Sequence, residues 1–170
     1  MITIVGSRLL MNIISRVGIK VKYLSDFVTP NDVMIDCSID PLEANCYDVV
    51  EPFKNVESYL FFGDDDELFK IAEGSDIIVA HKYLDVAARV AEKMEIPFMP
   101  NIVTTFIPGK IKFEEVEIPK VEYDSISYAL LCSLQASEII KFYNKKDLIV
   151  APEAVIVESY YYLKTTLRMR

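Results

Sequence analysis

Short apolar runs alternate with helical apolar stripes along the first two thirds of the chain. Residues 1–6 form an apolar, β-branched run that ends at a glycine, which is typical of a buried strand. Apolar residues then recur at three- and four-residue spacing over residues 9–17, which predicts a helix that ends at Gly18. Residues 20–24 alternate and predict a second strand. Together they form a β-α-β unit, whose crossover is right-handed in nearly all parallel sheets.

The same order of elements continues as far as residue 113. Further strands are predicted at residues 33–36, 58–62, 76–80 and 98–105. Helices are predicted from Asp64 through Ala72 and along an apolar stripe from Leu84 to Met94. Residues 111–113 are expected to pair antiparallel with the extended run before them, across a turn at Pro108 and Gly109.

The last third of the chain carries one long helix and a hairpin. Apolar residues occupy nearly every turn of residues 125–143, which predicts a well-buried helix of about five turns. Residues 154–157 and 160–170 are predicted to form an antiparallel pair of strands. We therefore expect one α/β domain over residues 1–170, Rossmann-like, with parallel N-terminal strands, antiparallel C-terminal strands in a mixed sheet, and helices on both faces.

Composition and charge narrow the classes of partner. A chain of 170 residues with 52% apolar side chains can bury one sizeable core without a second domain. Its 26 acidic and 18 basic side chains give a net charge of −8, which argues against nucleic acid as a partner. No apolar run approaches the roughly 18 residues of a membrane span, so we expect a soluble, cytoplasmic protein with no membrane partner.

The cysteines and the single histidine predict neither disulfides nor a structural metal. Three cysteines are scattered without a Cys-x-x-Cys pair, which fits a reducing compartment. A structural zinc would need all three and His81 to converge from distant segments. Cys132 lies within the apolar helix, where a thiol is usually inert packing. We therefore expect no metal site.

The long helix contains a spaced pattern of the form Ser-x-Gln-Ala-x-Glu-x-x-Lys. The pattern is carried by Ser133, Gln135, Ala136, Glu138 and Lys141. It resembles a helix signature of ThiF/MoeB-type proteins of the ubiquitin-activating superfamily, and the resemblance extends over about residues 75–170. It implies the superfamily fold and a dimeric state. Core packing and ordinary helical charge pairs also explain these residues, so the pattern predicts fold rather than chemistry.

The resemblance also implies a nucleotide site after the first strand. The superfamily has a Gly-x-Gly-x-x-Gly turn there, because bare backbone must approach the phosphates. Here Gly6 is retained, whereas Arg8 and Met11 replace the other glycines and would crowd a diphosphate. Gly6, Ser7, Arg8 and Asp26 are the candidate cofactor-binding residues. Asp26 matches the superfamily's ribose-binding acid, and an aspartate that caps a turn would explain it as well.

The candidate catalytic residues follow the strand predicted at residues 76–80. Superfamily enzymes hold magnesium through an acid at this place, where the present chain has His81 and Lys82, with Asp85 a turn later. His81 and Lys82 either bind an anion or act in catalysis, or they are a solvent-facing loop pair. The run of acids at residues 64–67 either holds a divalent cation or begins a helix, and the helix start is favoured.

Three functions follow from these interpretations. The first is a degenerate ThiF/MoeB-like protein that does not adenylate and acts as a binding or dimer-partner subunit, without a cofactor. The second is a reduced adenylyltransferase-like enzyme that uses ATP and magnesium to activate a carboxylate on a small molecule or carrier protein, in cofactor biosynthesis for instance. The third is a Rossmann-type nucleotide- or dinucleotide-binding enzyme. A homodimer or a heterodimer with a related protein is expected from the long helix and the tyrosines at 160–162.

Overall fold

Strands and helices alternate along the chain in the predicted order. The computed structural model describes residues 1–26, 55–158 and 162–170, so the strand predicted at residues 33–36 lies outside the described residues. The elements of the first two thirds are β1 Ile2–Val5, α1 Arg8–Arg16, β2 Val21–Ser25, β3 Val56–Leu60, α2 Asp65–Ala72, β4 Ile77–Ala80, α3 Leu84–Lys93 and β5 Phe98–Met99. The remaining elements are a 3-10 turn Phe113–Glu115, β6 Val116–Glu117, α4 Ser125–Tyr143, β7 Glu153–Val157, β8 Tyr162–Thr166 and β9 Arg168–Met169.

The central sheet has five parallel strands in the order β3-β2-β1-β4-β5. Ile2 of β1 lies opposite Val21 of β2 on one side and Ile77 of β4 on the other. The chain runs outward from β1 to β3 and then crosses back to β4. The strand order therefore reverses between β1 and β4, and open α/β sheets place their ligands in the crevice at such a point.

Helices cover both faces of this sheet, as predicted. On one face α2 and α3 contribute Leu68 and Val90 to a core that includes Val5. On the other face α1 and α4 pack Leu10 and Ile139 against the opposite side of the same strands. Every residue of β1 and β4 is buried, which explains why these strands are apolar apart from Thr3, whose hydroxyl is hydrogen-bonded to that of Ser75.

The antiparallel C-terminal strands confirm the predicted fold class. β7 pairs with β8, Ala154 opposite Thr165, and β9 pairs with β6. Isolated bridges join Val103 to Val155 and Thr105 to Val150, which connects this region to the segment that follows β5. No helix among the described residues combines the length and apolar character needed to cross a membrane.

The strand pairing predicted for residues 111–113 is wrong. Phe98 instead bridges Phe106, with backbone N to O distances of 2.9 and 2.7 Å. The ring of Phe113 packs edge to face against the rings of Phe98 and Phe106, at centroid distances of 5.3 and 5.5 Å. This ring cluster draws the segment into a 3-10 turn, which is closed by bonds between Lys112 and Glu115.

Candidate functional site

The crevice between β1 and β4 brings together most of the predicted site residues. Val5 and Ala80 are register partners, so Gly6 and His81 follow them side by side at the carboxyl edge of the sheet. The amide of His81 donates to the Val5 carbonyl at 2.9 Å. The amide of Gly6 donates to the carbonyl of Leu24, which brings in the turn after β2. The β-strand register thus sets the positions of Gly6, Ser7, Asp26, His81 and Lys82.

The side chain of Lys82 crosses the turn that follows β1. A Cβ atom built on Gly6 would lie 2.7 Å from Cγ and 2.8 Å from Cβ of Lys82, so the lysine stem fills the space beside this glycine. The Lys82 ammonium reaches both carboxylate oxygens of Asp26, at 3.0 and 2.9 Å. The hydrogen bond from Lys82 is the largest cause of a pKa of Asp26 below its ordinary value, and the positive charge of the lysine lowers that pKa further. Lys82 therefore connects the predicted phosphate position to the predicted ribose position.

The backbone at Tyr83 is in the left-handed region, with φ of 53°. Such a conformation is uncommon for a residue with a Cβ atom and often occurs at functional sites. The Tyr83 ring packs edge to face on Phe61 at 5.3 Å, and it would lie 2.7 Å from a Cβ atom added to Gly63. The chain therefore turns sharply after Lys82 and enters α3 with Tyr83 anchored beside the end of β3.

His81 faces α4 and is half-buried, so of the two alternatives for this residue the solvent-facing loop position does not hold. Its Nε2 lies 2.7 Å from Oε1 of Gln135. Its Nδ1 lies 3.0 Å from the hydroxyl of Tyr128. The amide nitrogen of Gln135 donates to the carbonyls of Pro100 and Ile102, at 2.7 and 3.3 Å. His81 is thereby held between two residues of the same helix.

These contacts determine where the protons lie. Because the Gln135 nitrogen donates to two carbonyls, its Oε1 is the acceptor and His81 Nε2–H is the donor. A neutral imidazole then has its lone pair on Nδ1, so the Tyr128 hydroxyl donates to it. Ser7 Oγ, 2.7 Å from the Tyr128 oxygen, must donate to that oxygen in turn. The Cys132 thiol, 3.7 Å away, donates to Ser7. The result is a directed chain of hydrogen bonds from Cys132 to the backbone at Pro100.

Burial favours the neutral form of every titratable member of this hydrogen-bonded series, and all are neutral at pH 7. Burial lowers the pKa of His81 to about 4, and the hydrogen bond to Gln135 partly offsets this by raising the pKa. Burial also raises the pKa of Tyr128 to about 12 and raises that of the Cys132 thiol. Cys132 is fully buried, in agreement with its predicted packing role. This series of hydrogen-bonded side chains therefore has no charged member, and its chemical role is to fix the positions of Ser7 and His81.

Two residues of this hydrogen-bonded series, Gln135 and Tyr128, were not recognised as site residues from the sequence. Gln135 belongs to the helix signature, and a buried glutamine in an apolar helix was the available signal for a polar partner nearby. Tyr128 lies 121 residues after Ser7 and 47 after His81, and nothing in its local sequence marks it. Both act by positioning other residues.

The remaining candidates lie elsewhere. Asp85 is on the first turn of α3, where it lines a cleft on the face of the sheet that α2 and α3 cover. Arg8 begins α1, and Met11 is buried in the layer between α1 and α4. The acidic run starts a helix as predicted, since Asp64 caps α2 by accepting from the amide of Glu67 at 2.8 Å. No cluster of three metal-ligating side chains occurs within the described ranges.

Comparison with known proteins identifies structural relatives. No family model matches the chain, and no curated protein matches it. The crystal structure of E. coli MccB with ATP has a TM-score of 0.68 at 14% identity, over 98% of this chain and 63% of MccB. MccB with AMPCPP and MccA has a TM-score of 0.66 at 15% identity, with the same coverage. PaaA has a TM-score of 0.66 at 13% identity, over 99% of this chain and 64% of PaaA.

These matches concern the fold. The chain spans somewhat less than two thirds of the length of the solved proteins it matches. The Rossmann-like α/β architecture, predicted from the element order, is confirmed.

Proposed function

We propose that this chain uses the ThiF/MoeB-like fold as a binding or dimer-partner subunit that does not adenylate. The observation that carries the proposal is the position of Lys82, whose stem fills the space beside Gly6 and whose ammonium is bonded to Asp26. A diphosphate needs close access to the backbone at Gly6. A ribose hydroxyl needs a carboxylate oxygen of Asp26 that Lys82 now engages. The residues present therefore do not fit ATP in the way the superfamily implies.

The neighbouring side chains support the same proposal. Ser7 is the N-cap residue of α1 but makes no capping hydrogen bond, because its hydroxyl is bonded to Tyr128. His81, at the place of the superfamily's magnesium-binding acid, is neutral and bonded on both ring nitrogens. An adenylation step requires charge stabilisation at the phosphates worth many kcal/mol. A neutral imidazole between two fixed partners does not supply it.

A thermal melt with ATP and magnesium tests this proposal. A nucleotide present at a hundred times its dissociation constant would stabilise the fold by about 2.7 kcal/mol. For a domain of this size that raises the melting temperature by roughly 5 to 10 °C. We expect no rise for the wild type at millimolar ATP. An ATP-dependent rise, accompanied by pyrophosphate exchange with a carboxylate substrate, would instead establish the adenylating alternative.

One observation favours that alternative as the second candidate. MccB, whose fold this chain shares, was solved with ATP. For this chain to bind ATP in the same crevice, Lys82 would have to leave Gly6 and release Asp26. The variant Lys82→Ala makes that change directly. Under the present proposal it also fails to respond to ATP, because no phosphate-binding glycines follow Gly6.

The outer surface of α1 and α4 supports the dimer-partner part of the proposal. Ile126 is 68% exposed and Leu130 36%, and Leu9 of the adjacent α1 is also 36% exposed. A groove between α1 and α4 is lined by Ile13 and Ile140. Exposed apolar side chains that continue across two packed helices are typical of an interface. The tyrosines at 160 and 161, which also suggested an interface, lie outside the described residues.

We expect light scattering to report a dimer at micromolar concentration. Ile126→Lys should convert it to a monomer that remains folded, because this side chain makes little contact within the folded chain. Leu60→Lys is the matched control, since Leu60 is 51% exposed on the edge strand β3. A wild-type monomer, or an equal effect of both substitutions, would contradict the placement of this interface.

A further inference from the structure

The face of the sheet that α2 and α3 cover carries a cleft that is separate from the crevice between β1 and β4. It has a volume of about 270 Å³ and lies between α3 and residues 106–114. Its apolar lining includes Ala88, Ile96, Phe98, Phe106, Ile111 and Phe113. None of Gly6, Ser7, Asp26, His81 and Lys82 borders it. The cleft is thus independent of the proposed function.

Aromatic rings form much of the cleft. Phe98, Phe106 and Phe113 contact one another, with centroid distances of 5.3 Å between Phe98 and Phe113 and 5.5 Å between Phe106 and Phe113. Both contacts are edge to face. Phe98 and Phe106 are nearly fully buried and Phe113 is partly exposed, so Phe113 is the ring with surface left for an incoming ring, and the other two pack behind it. The volume lies just below the range of roughly 300 to 1,000 Å³ typical of drug-sized ligands, so it suits one compact aromatic group.

The mouth of the cleft has one cation without a partner among the described residues. The charged side chains around it are Asp85, Arg89, Glu92, Lys110, Lys112 and Glu114. Arg89 is held by two hydrogen bonds to Asp65, at 2.9 and 2.8 Å. Lys112 is held by an ion pair with Glu92. Lys110 follows the left-handed turn at Gly109 and makes no side-chain hydrogen bond or ion pair within the part of the chain that the structure describes.

One ion pair and one β-bridge hold residues 106–114 in place beside the cleft. Lys112 ties residues 106–114 to Glu92 near the C-terminal end of α3, and the Phe98 to Phe106 bridge ties them to the sheet. The segment is therefore fixed at both sides of the apolar lining. Arg89 and Lys112, being paired, are not available to an incoming anion, whereas Lys110 is.

We propose that this cleft binds a small aromatic carboxylate, with the ring against Phe113 in the lining that Phe98 and Phe106 complete, and the carboxylate on Lys110. The three acids and three cations that line the cleft balance in charge, so the surroundings of Lys110 offer no excess positive charge for a multiply charged anion such as phosphate. A single carboxylate matches the single unpaired lysine. The aromatic lining supplies the larger part of the buried apolar contact.

Titration of the full chain with 3-phenylpropanoate tests the proposal. We expect saturable binding in the millimolar range or tighter, with the methyl NMR signals of Ile96 and Ile111 among those that shift. The neutral analogue 3-phenylpropanamide should bind roughly tenfold more weakly, because it lacks the charge-assisted bond. Inorganic phosphate should not shift these signals.

Substitutions test the contribution of the lysine and that of the apolar lining separately. Lys110→Ala should weaken binding of 3-phenylpropanoate roughly tenfold and remove its preference over the amide. Lys20→Ala, at an exposed lysine before β2, is the matched control and should leave affinity unchanged. Ala88→Leu should abolish binding by filling the cleft.

Several outcomes would overturn the proposal. These are the absence of saturable binding, equal affinity for the acid and the amide, an equal effect of Lys110→Ala and Lys20→Ala, or full affinity in a folded Ala88→Leu variant. If Ala88→Leu does not fold, the methyl signals of the wild type test the location of the ligand. Saturable binding that leaves the signals of Ile96 and Ile111 unchanged would place the ligand outside this cleft.

Discussion

Replacing Gln135 by leucine should destabilise the fold by about 3 kcal/mol, because it leaves several buried polar groups without partners. Gln135 is fully buried and bonded to His81 and to the carbonyls of Pro100 and Ile102. Each such group costs about 1 to 3 kcal/mol when it is buried without a partner. Leucine fills a similar volume, so the loss is one of hydrogen bonding rather than packing. The melting temperature should fall by roughly 6 to 12 °C.

The same helix supplies a matched control for this substitution. Ser133 belongs to the same sequence pattern but is exposed, and its hydroxyl bonds to the carbonyl of Ala129 within the helix. Ser133→Ala should change the free energy of unfolding by less than about 0.5 kcal/mol. Urea denaturation of both variants measures the difference. A Gln135→Leu variant within 1 kcal/mol of the Ser133→Ala variant, about the size of one ordinary hydrogen bond, would show that the His81 chain contributes little to stability.

Acid should weaken the fold through His81 well before it protonates the paired carboxylates. The pKa of His81 is lowered from 6.5 to about 4 by burial. Because the unfolded chain binds the proton more readily, the contribution of His81 to stability is fully present above pH 6.5. It is lost progressively as the pH falls through 4. A shift of this size corresponds to a loss of up to about 3 kcal/mol.

The variant His81→Gln isolates this contribution. Glutamine can donate to Gln135 and accept from Tyr128 but does not titrate. Asp26 and Asp65 are paired with Lys82 and Arg89 in both proteins, so their effects cancel in the comparison. We expect the wild type to lose more stability than the variant between pH 7 and 4 in equilibrium unfolding. Parallel pH curves for the two proteins would contradict the assignment of His81 as a buried neutral residue.

The single histidine also makes the proton assignment measurable. The chain contains one His, so NMR spectra of its ring show one pair of nitrogen signals. The directed hydrogen bonds require the Nε2–H tautomer at pH 7. This tautomer follows from geometry that joins α4 to the end of β4, and it fixes the orientation of the ring beside Lys82.

Local sequence patterns predicted the elements well where periodicity decides them. The long helix has its predicted bounds, Ser125–Tyr143, and the strand that ends at Ala80 was also predicted. The convergence of Gly6 and His81 followed from parallel topology, since the carboxyl ends of adjacent strands meet at one edge of the sheet. These features depend on repeating patterns and on the rules of strand order.

Features that depend on distant contacts were not predicted. The path of Lys82 over Gly6 depends on the turn at Tyr83, and the pattern of the sequence does not mark a non-glycine residue with positive φ. The sequence left open whether His81 binds a ligand or faces solvent, because its partner Gln135 lies 54 residues later. The 3-10 turn at Phe113 replaced a predicted strand because ring packing with Phe98 outweighed the local extended pattern.

The central claim is that Lys82 and Asp26 occupy the crevice in place of a nucleotide. The most direct test is an amide NMR spectrum of the isotope-labelled wild type, recorded with and without millimolar ATP and magnesium. We predict that the amide signals of Gly6, Arg8 and Asp26 do not shift and that the His81 ring signals keep their positions. Saturable shifts confined to these residues would show that a nucleotide displaces Lys82, and would contradict the claim.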